Sequence, residues 1–111
     1  IPHEGKVNKI CYVPGKFFFA YSDKASKKNE HNAVFLKTTD GKKICVVQVA
    51  GLIARRIVCR IQENDHVVRG ERFGMIRFGS RLDVYLPIET KLHVAAGEKV
   101  KAGASVLGYL R

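Results

Sequence analysis

Two stretches of this chain match in pattern: Asn64-Asp65-His66-Val67-Val68-Arg69-Gly70 and Gly97-Glu98-Lys99-Val100-Lys101-Ala102-Gly103. The second follows the first at an offset of 33 residues, and each runs on into an apolar segment. Each holds a turn, a valine suited to an interior, a basic residue, and a closing glycine that frees the backbone to bend before the next strand. Two such elements in one short chain predict a mostly β fold of antiparallel strands, a barrel-like sandwich.

Working outward from the repeat, Lys42 to Ile61 is rich in Val and Ile, with turn residues at Asp40-Gly41 and a break at Gly51, which reads as strands. Asp40-Gly41 lies between Val34-Phe35-Leu36 and Ile44-Cys45-Val46-Val47 and signals a hairpin. The β-branched run continues into Leu52-Ile53-Ala54-Arg55-Arg56-Ile57-Val58. Helical periodicity is weak throughout; only Ser22 to Asn32, polar and lysine-rich with a cap at Ser22 or Asp23, suits a short helix or an extended loop. With 111 residues the chain is one domain, 1–111. The second copy, with Ala95-Ala96 before it and Val106-Leu107-Gly108-Tyr109-Leu110 after it, resembles the hammerhead strands of biotinyl and lipoyl carrier domains. Glu89-Thr90-Lys91-Leu92 lacks the pattern around the modified lysine of those carriers, so the likeness is one of scaffold geometry.

A formal charge of +10, from 20 Lys and Arg against 10 Asp and Glu, predicts attraction to anionic partners, either acidic lipid or nucleic acid. Phe17-Phe18-Phe19, with Tyr12 and Tyr21 nearby and Lys16, Lys24, Lys27 and Lys28 around it, combines the apolar burial and basic attraction that seat a segment at an anionic bilayer. Alternate phenylalanines lining a core are the competing reading. The patches lack the regular stacking pattern of single-strand nucleic-acid platforms, so nucleic acid is the less favoured partner. Cys11, Cys45 and Cys59 have neither metal-site nor disulfide-framework spacing; Cys45 and Cys59, set among Ile and Val, read as small buried hydrophobes, and no metal site is expected. The longest apolar stretch, Ile44 to Ala54, is interrupted by Gln48 and followed by Arg55-Arg56, too short to span a bilayer as a helix. No signal peptide is visible, and the start at Ile1 without methionine reads as a fragment.

Gly70-Glu71-Arg72-Phe73-Gly74-Met75-Ile76-Arg77-Phe78-Gly79-Ser80-Arg81-Leu82-Asp83-Val84-Tyr85-Leu86-Pro87 carries the chemistry. A Gly-Ser bond in a strained turn can break itself when the serine hydroxyl attacks the preceding carbonyl and a base takes the proton. The phrase resembles the processing site of the phosphatidylserine decarboxylase family, in the short form that includes the archaetidylserine enzymes. Pro14-Gly15-Lys16-Phe17-Phe18-Phe19-Ala20, Asp23-Lys24-Ala25-Ser26 and Asn29-Glu30-His31-Asn32 are similar to the family pattern as well, with His31 where an arginine is usual.

The resemblance implies that Ser80 is the nucleophile and Gly79-Ser80 the cleavage site. Attack turns the peptide into an ester, elimination leaves dehydroalanine, and hydrolysis yields a pyruvoyl cofactor on a chain running from the former Ser80. A β chain (1–79) and an α chain (80–111) result. The pyruvoyl group then serves as the electron sink for decarboxylating phosphatidylserine, or a related serine phospholipid, to the ethanolamine lipid. Partners implied are anionic phospholipid at a membrane surface, met peripherally from the cytoplasmic side, and a second copy in a homodimer. The activating aspartate and histidine of the family fall upstream of Ile1, so these 111 residues alone are expected to be uncleaved and inactive. His3, His66 and His93 are ordinary surface or packing histidines by their surroundings. Arg77, Phe78 and Arg81 flank the site and are the substrate-binding candidates, the arginines through charge-assisted bonds to carboxylate or phosphate. Strand alternation sets Arg77, Gly79 and Arg81 on one face and Phe78, Ser80 and Leu82 on the other. A carrier-like β-barrel binding module and a basic nucleic-acid-binding β-domain are the alternatives.

Overall fold

The computed structural model describes residues 1–15, 29–50, 57–76 and 81–110. Among these are nine strands and no helix: β1 (Gly5–Val13), β2 (His31–Lys37), β3 (Lys43–Val49), β4 (Ile57–Cys59), β5 (His66–Val67), β6 (Gly74–Ile76), β7 (Arg81–Tyr85), β8 (Lys91–Leu92) and β9 (Gly108–Tyr109). Five form one antiparallel sheet in the order β5-β1-β2-β3-β7, and β4-β6 and β8-β9 are two-stranded ribbons. The mostly β, antiparallel expectation holds, in the form of a curled half-barrel sheet.

The Asp40-Gly41 hairpin forms as the sequence predicts, joining β2 to β3 with Lys37 opposite Lys43. Gly41 sits at φ +86° and donates its N–H to the Thr38 carbonyl at 3.0 Å, the three-residue hairpin in which only glycine takes the left-handed position without strain. The Thr38 hydroxyl donates to the Asp40 carboxylate while accepting from the Lys42 N–H at 2.9 Å. That bond from Thr38, with Lys42 beside it, holds the Asp40 carboxyl below its usual range.

Strand alternation builds the core. Val34 and Leu36 of β2 lie opposite Val46 and Ile44 of β3, all buried, with Val7 of β1, Val67 of β5, Ile61 and Phe73 completing the cluster. Fully burying each such side chain is worth about 2 kcal/mol. The Ser22 to Asn32 expectation fails at its described end: Asn29 and Glu30 are buried, and His31 and Asn32 open β2. Pairing with β1 and β3 overrides the polar composition there.

The repeat is real in three dimensions. Asn64 and Gly97, 33 residues apart, have φ of +75° and +85°, and Gly70 and Gly103 have +81° and +75°. The turn bonds match: Asp65 N–H to Gln62 O and Glu98 N–H to Ala95 O are both 3.1 Å, and Glu71 N–H to Val68 O is 3.1 Å against 3.2 Å for Ala104 N–H to Lys101 O. One residue is then inserted in the second copy, after which Arg60 N–H to Phe73 O at 2.7 Å corresponds to His93 N–H to Leu107 O at 2.8 Å. The ribbons coincide as well, Val58 opposite Met75 answering Lys91 opposite Tyr109. Gly74 and Gly108 are equivalent by close approach: a Cβ at Gly74 would lie 1.9 Å from the Val58 carbonyl oxygen, and one at Gly108 2.5 Å from that of Lys91.

Gly74→Ala therefore forces β6 away from β4 and is expected to cost about 3 kcal/mol. Gly41→Ala, where a Cβ meets nothing within 4 Å, costs only the left-handed backbone strain, about 1 kcal/mol. Urea midpoints of the two variants check the order.

Candidate functional site

One end of the inward face is polar. Beyond the Val34/Val46 pair, the next inward pair is Asn32 opposite Gln48, both buried. Asn32 donates through Nδ2 to Gln48 Oε1 at 3.1 Å, and Gln48 donates through Nε2 to the Val58 carbonyl at 3.2 Å. The Gln48 amide is thus used at both ends and ties the large sheet to the β4-β6 ribbon. The register continues past the strand ends, with Ala50 N–H donating to the Glu30 carbonyl at 2.9 Å and the buried Asn29 donating through Nδ2 to the Ala50 carbonyl at 2.6 Å. The buried Glu30 carboxylate accepts the Tyr12 hydroxyl at Oε2, while its Oε1 has no hydrogen-bond partner among the described residues. That bond is the main reason the Tyr12 hydroxyl is pushed above the ordinary tyrosine range, with desolvation and the Glu30 charge adding to it.

Next to this polar end lies a cavity of about 330 Å³, lined by Gln48, Phe73, Gly74, Met75, Ile76, Arg81 and Leu82. Two of its walls are β6 and β7, the strands on either side of residues 77–80. Leu82 pairs with Gln48 and takes the inward face, whereas Arg81, opposite Val49, takes the other, as alternation predicts. Arg81 is held flat against Asp83, two residues on, by a fork: Nε to Oδ1 at 2.7 Å and Nη2 to Oδ2 at 3.0 Å. Such a bidentate pair fixes the guanidinium plane.

Of the candidate site residues, Arg81 alone is described; Arg77, Phe78, Gly79 and Ser80 lie outside the described residues, as does the Phe17-Phe18-Phe19 run. His66 is exposed on β5 opposite Lys6, and His93 is exposed with its ring edge-on to Tyr109 at 4.7 Å. His3 Nε2 lies 3.5 Å from the Glu4 carboxylate. His31 donates through Nδ1 to the Asn29 carbonyl at 2.8 Å, so its ring braces the turn into β2. Burial pushes the Cys45 thiol up, away from thiolate chemistry, and all three cysteines are free thiols. Sequence reading missed Tyr12, Glu30, Asn32 and Gln48 as one cluster. A signal existed, since Gln48 breaks an otherwise apolar run and Asn29-Glu30-His31-Asn32 is a polar phrase entering a strand.

The outer face carries the charge. His66, Lys6, Lys37 and Lys43 stand directly opposite one another across β5, β1, β2 and β3, all exposed. Like charges paired across strands repel, and no ion pair among the described residues neutralises the three lysines. The next outward row is Lys9, Phe35, Cys45 and Tyr85, with Phe35 and Tyr85 exposed. No helix of the described residues is long and apolar enough to cross a membrane.

Comparison with known proteins matches residues 1–108 to the family described as phosphatidylserine decarboxylase. A phosphatidylserine decarboxylase proenzyme of Syntrophus aciditrophicus is 63% identical over 108 residues, which cover 97% of this chain and 51% of that protein. Proteins of the same name from Desulfotalea psychrophila and Rickettsia bellii are 54% and 52% identical, covering 98% and 96% of this chain and 51% and 46% of their own lengths. The chain therefore spans about half the length of the curated relatives it matches. No solved structure is matched by this chain.

The Tyr12–Glu30 bond has a pH signature. Because the folded-state pKa of Tyr12 is raised, the bond's stabilisation is fully present below the unfolded tyrosine value near 10 and lost as pH climbs through the raised value. An ultraviolet titration is expected to show one tyrosine ionising later than the rest, and Glu30→Gln to bring it back toward the others. An unchanged Tyr12 titration in that variant counts against the bond.

Proposed function

The chain belongs to the phosphatidylserine decarboxylase family, and we propose that it is the catalytic-core part of a proenzyme that removes the carboxyl group of phosphatidylserine, or a related serine phospholipid, to give the ethanolamine lipid. On this reading Ser80 Oγ attacks the Gly79 carbonyl, and the α chain begins at a pyruvoyl group made from Ser80. The observation that carries it is the cavity bounded by β6 and β7, the two strands that flank Gly79-Ser80. The surrounding chemistry fits such a group: glycine leaves the attacked carbonyl unshielded, and the Gln48 amide at the cavity wall is a donor of the kind a ketone oxygen accepts from.

When present, a pyruvoyl group takes up the electron pair released as carbon dioxide leaves. This chain's own side chains do the rest. The Asn32–Gln48 pair holds the cavity's floor, and Leu82 and Phe73 keep it apolar. Arg81, with Asp83 setting its plane, is the described candidate for the lipid's carboxylate or phosphate, with Arg77 and Phe78 beside it in sequence. The α and β chains stay together without a peptide link because β7, on the α side, pairs with β3 over Cys45–Val49 and packs Val84 against the core. The basic row and the aromatic row next to it support peripheral attachment to an anionic leaflet, and a homodimer belongs to the same reading.

Denaturing mass spectrometry tests the chemistry. The 111-residue chain is expected to run as one species of full mass, while a polypeptide of the relatives' length splits between Gly79 and Ser80, and Ser80→Ala stays whole. An uncleaved longer protein overturns the proposal; cleavage of the short chain places the base inside it. Vesicle sedimentation tests the surface: Lys6→Gln, Lys37→Gln and Lys43→Gln together are expected to weaken binding to anionic vesicles on the order of 100-fold, at about 1 kcal/mol per lysine, and to leave neutral vesicles unaffected. Equal binding by variant and parent would remove the sheet face from the reading.

A further inference from the structure

The two copies of the repeat share a backbone but not a cover. In the first, β1 lies along the turn: Val7 N–H donates to the Asp65 carbonyl at 2.8 Å and Asn64 N–H donates to the Val7 carbonyl at 2.7 Å. Gly5 and Lys6 continue the ladder opposite Val67 and His66. Under that strand Val67 is 2% exposed and Phe73 8%. In the second copy the corresponding side chains, Val100 and Leu107, are 48% and 37% exposed. The corresponding backbone groups, Gly97 N–H and the Glu98 carbonyl, have no hydrogen-bond partner among the described residues.

We propose that the second copy, Gly97–Val100, is the seat of a β-strand from the part of the longer polypeptide outside these 111 residues, docked in the register that β1 takes on β5. The first copy shows what such a turn holds: a residue whose N–H and carbonyl answer Glu98 and Gly97, as Val7 answers Asp65 and Asn64, with an apolar side chain over Val100 and Leu107. Length supplies the occupant, since these relatives are about twice as long as this chain. A second copy of the chain cannot offer the same strand, because β1 already pairs on both edges. Lys99, at the place of His66, calls for a polar or acidic residue on the incoming strand. The inference rests on family membership and not on the pyruvoyl chemistry, so the two fail separately.

The test uses the full-length Syntrophus aciditrophicus proenzyme carrying residues 1–108 of this chain in place of its own matching stretch. Amide hydrogen exchange is read at Asn64 and Gly97 in one sample. Asn64 reports that the fold is intact, and Gly97 is expected to be protected to a similar degree, on the order of 100-fold or more over a free amide. A benzophenone photo-cross-linker in place of Val100, in a chimera that also carries Ser80→Ala so that the polypeptide stays whole, should then join, within one polypeptide, to a residue outside the transplanted stretch. A protected Asn64 with a freely exchanging Gly97 overturns the proposal. So does a cross-linked product of twice the mass, which assigns the seat to a second copy, or a link confined to the transplanted residues. If the chimera does not fold, the unmodified relative read at the aligned amides decides between the same outcomes.

Discussion

The amide of Gln48 is the joint on which the fold turns. It sits buried in the row after Val34/Val46, takes a hydrogen bond from Asn32 on one side, and gives one to the Val58 carbonyl on the other. A buried amide left without partners costs about 1–3 kcal/mol, so once the sheet brings Asn32 and Gln48 face to face, the β4-β6 ribbon is drawn to the one place where the remaining donor is satisfied. The same meeting demands that β6 come close, and Gly74 is there because a methyl group would strike the Val58 carbonyl. The cavity between β6 and β7 follows from that closeness.

The polar end of the core and β6 and β7, the strands on either side of residues 77–80, thus meet for a structural reason. A β-sheet core is built in pairs, and on this sheet the pairs pass from Leu36/Ile44 through Val34/Val46 to Asn32/Gln48, then to Glu30 beside Ala50. Because β7 enters the sheet next to that last polar stretch, the residue that follows Ser80 in sequence starts a strand at Val49. The apolar end provides stability, and the polar end gathers the buried hydrogen-bonding groups.

The outer face follows a different rule. Lysines directly across from one another cost stability, yet His66, Lys6, Lys37 and Lys43 form an unbroken row. The net charge of +10 is thus not merely spread along the chain; the sheet gathers part of it into a line beside exposed aromatic side chains.

Sequence by itself determined the strand class, the Asp40-Gly41 hairpin and the 33-residue repeat, because each depends on local chemistry: β-branched runs, and positions that only glycine or asparagine takes at positive φ. It also carried the family, through the phrase around Gly79-Ser80. It left the Tyr12–Glu30 contact, the Asn32–Gln48–Val58 chain and the basic row unread, since each joins residues from different strands and depends on register. A shift of one residue in β2 against β3 would turn Asn32 outward and scatter the lysines. Only the tertiary structure decided, too, that two copies of one turn have unequal fates: Val67 is covered because β1 passes over it, and Val100, with the same local conformation, stands open because no described strand does.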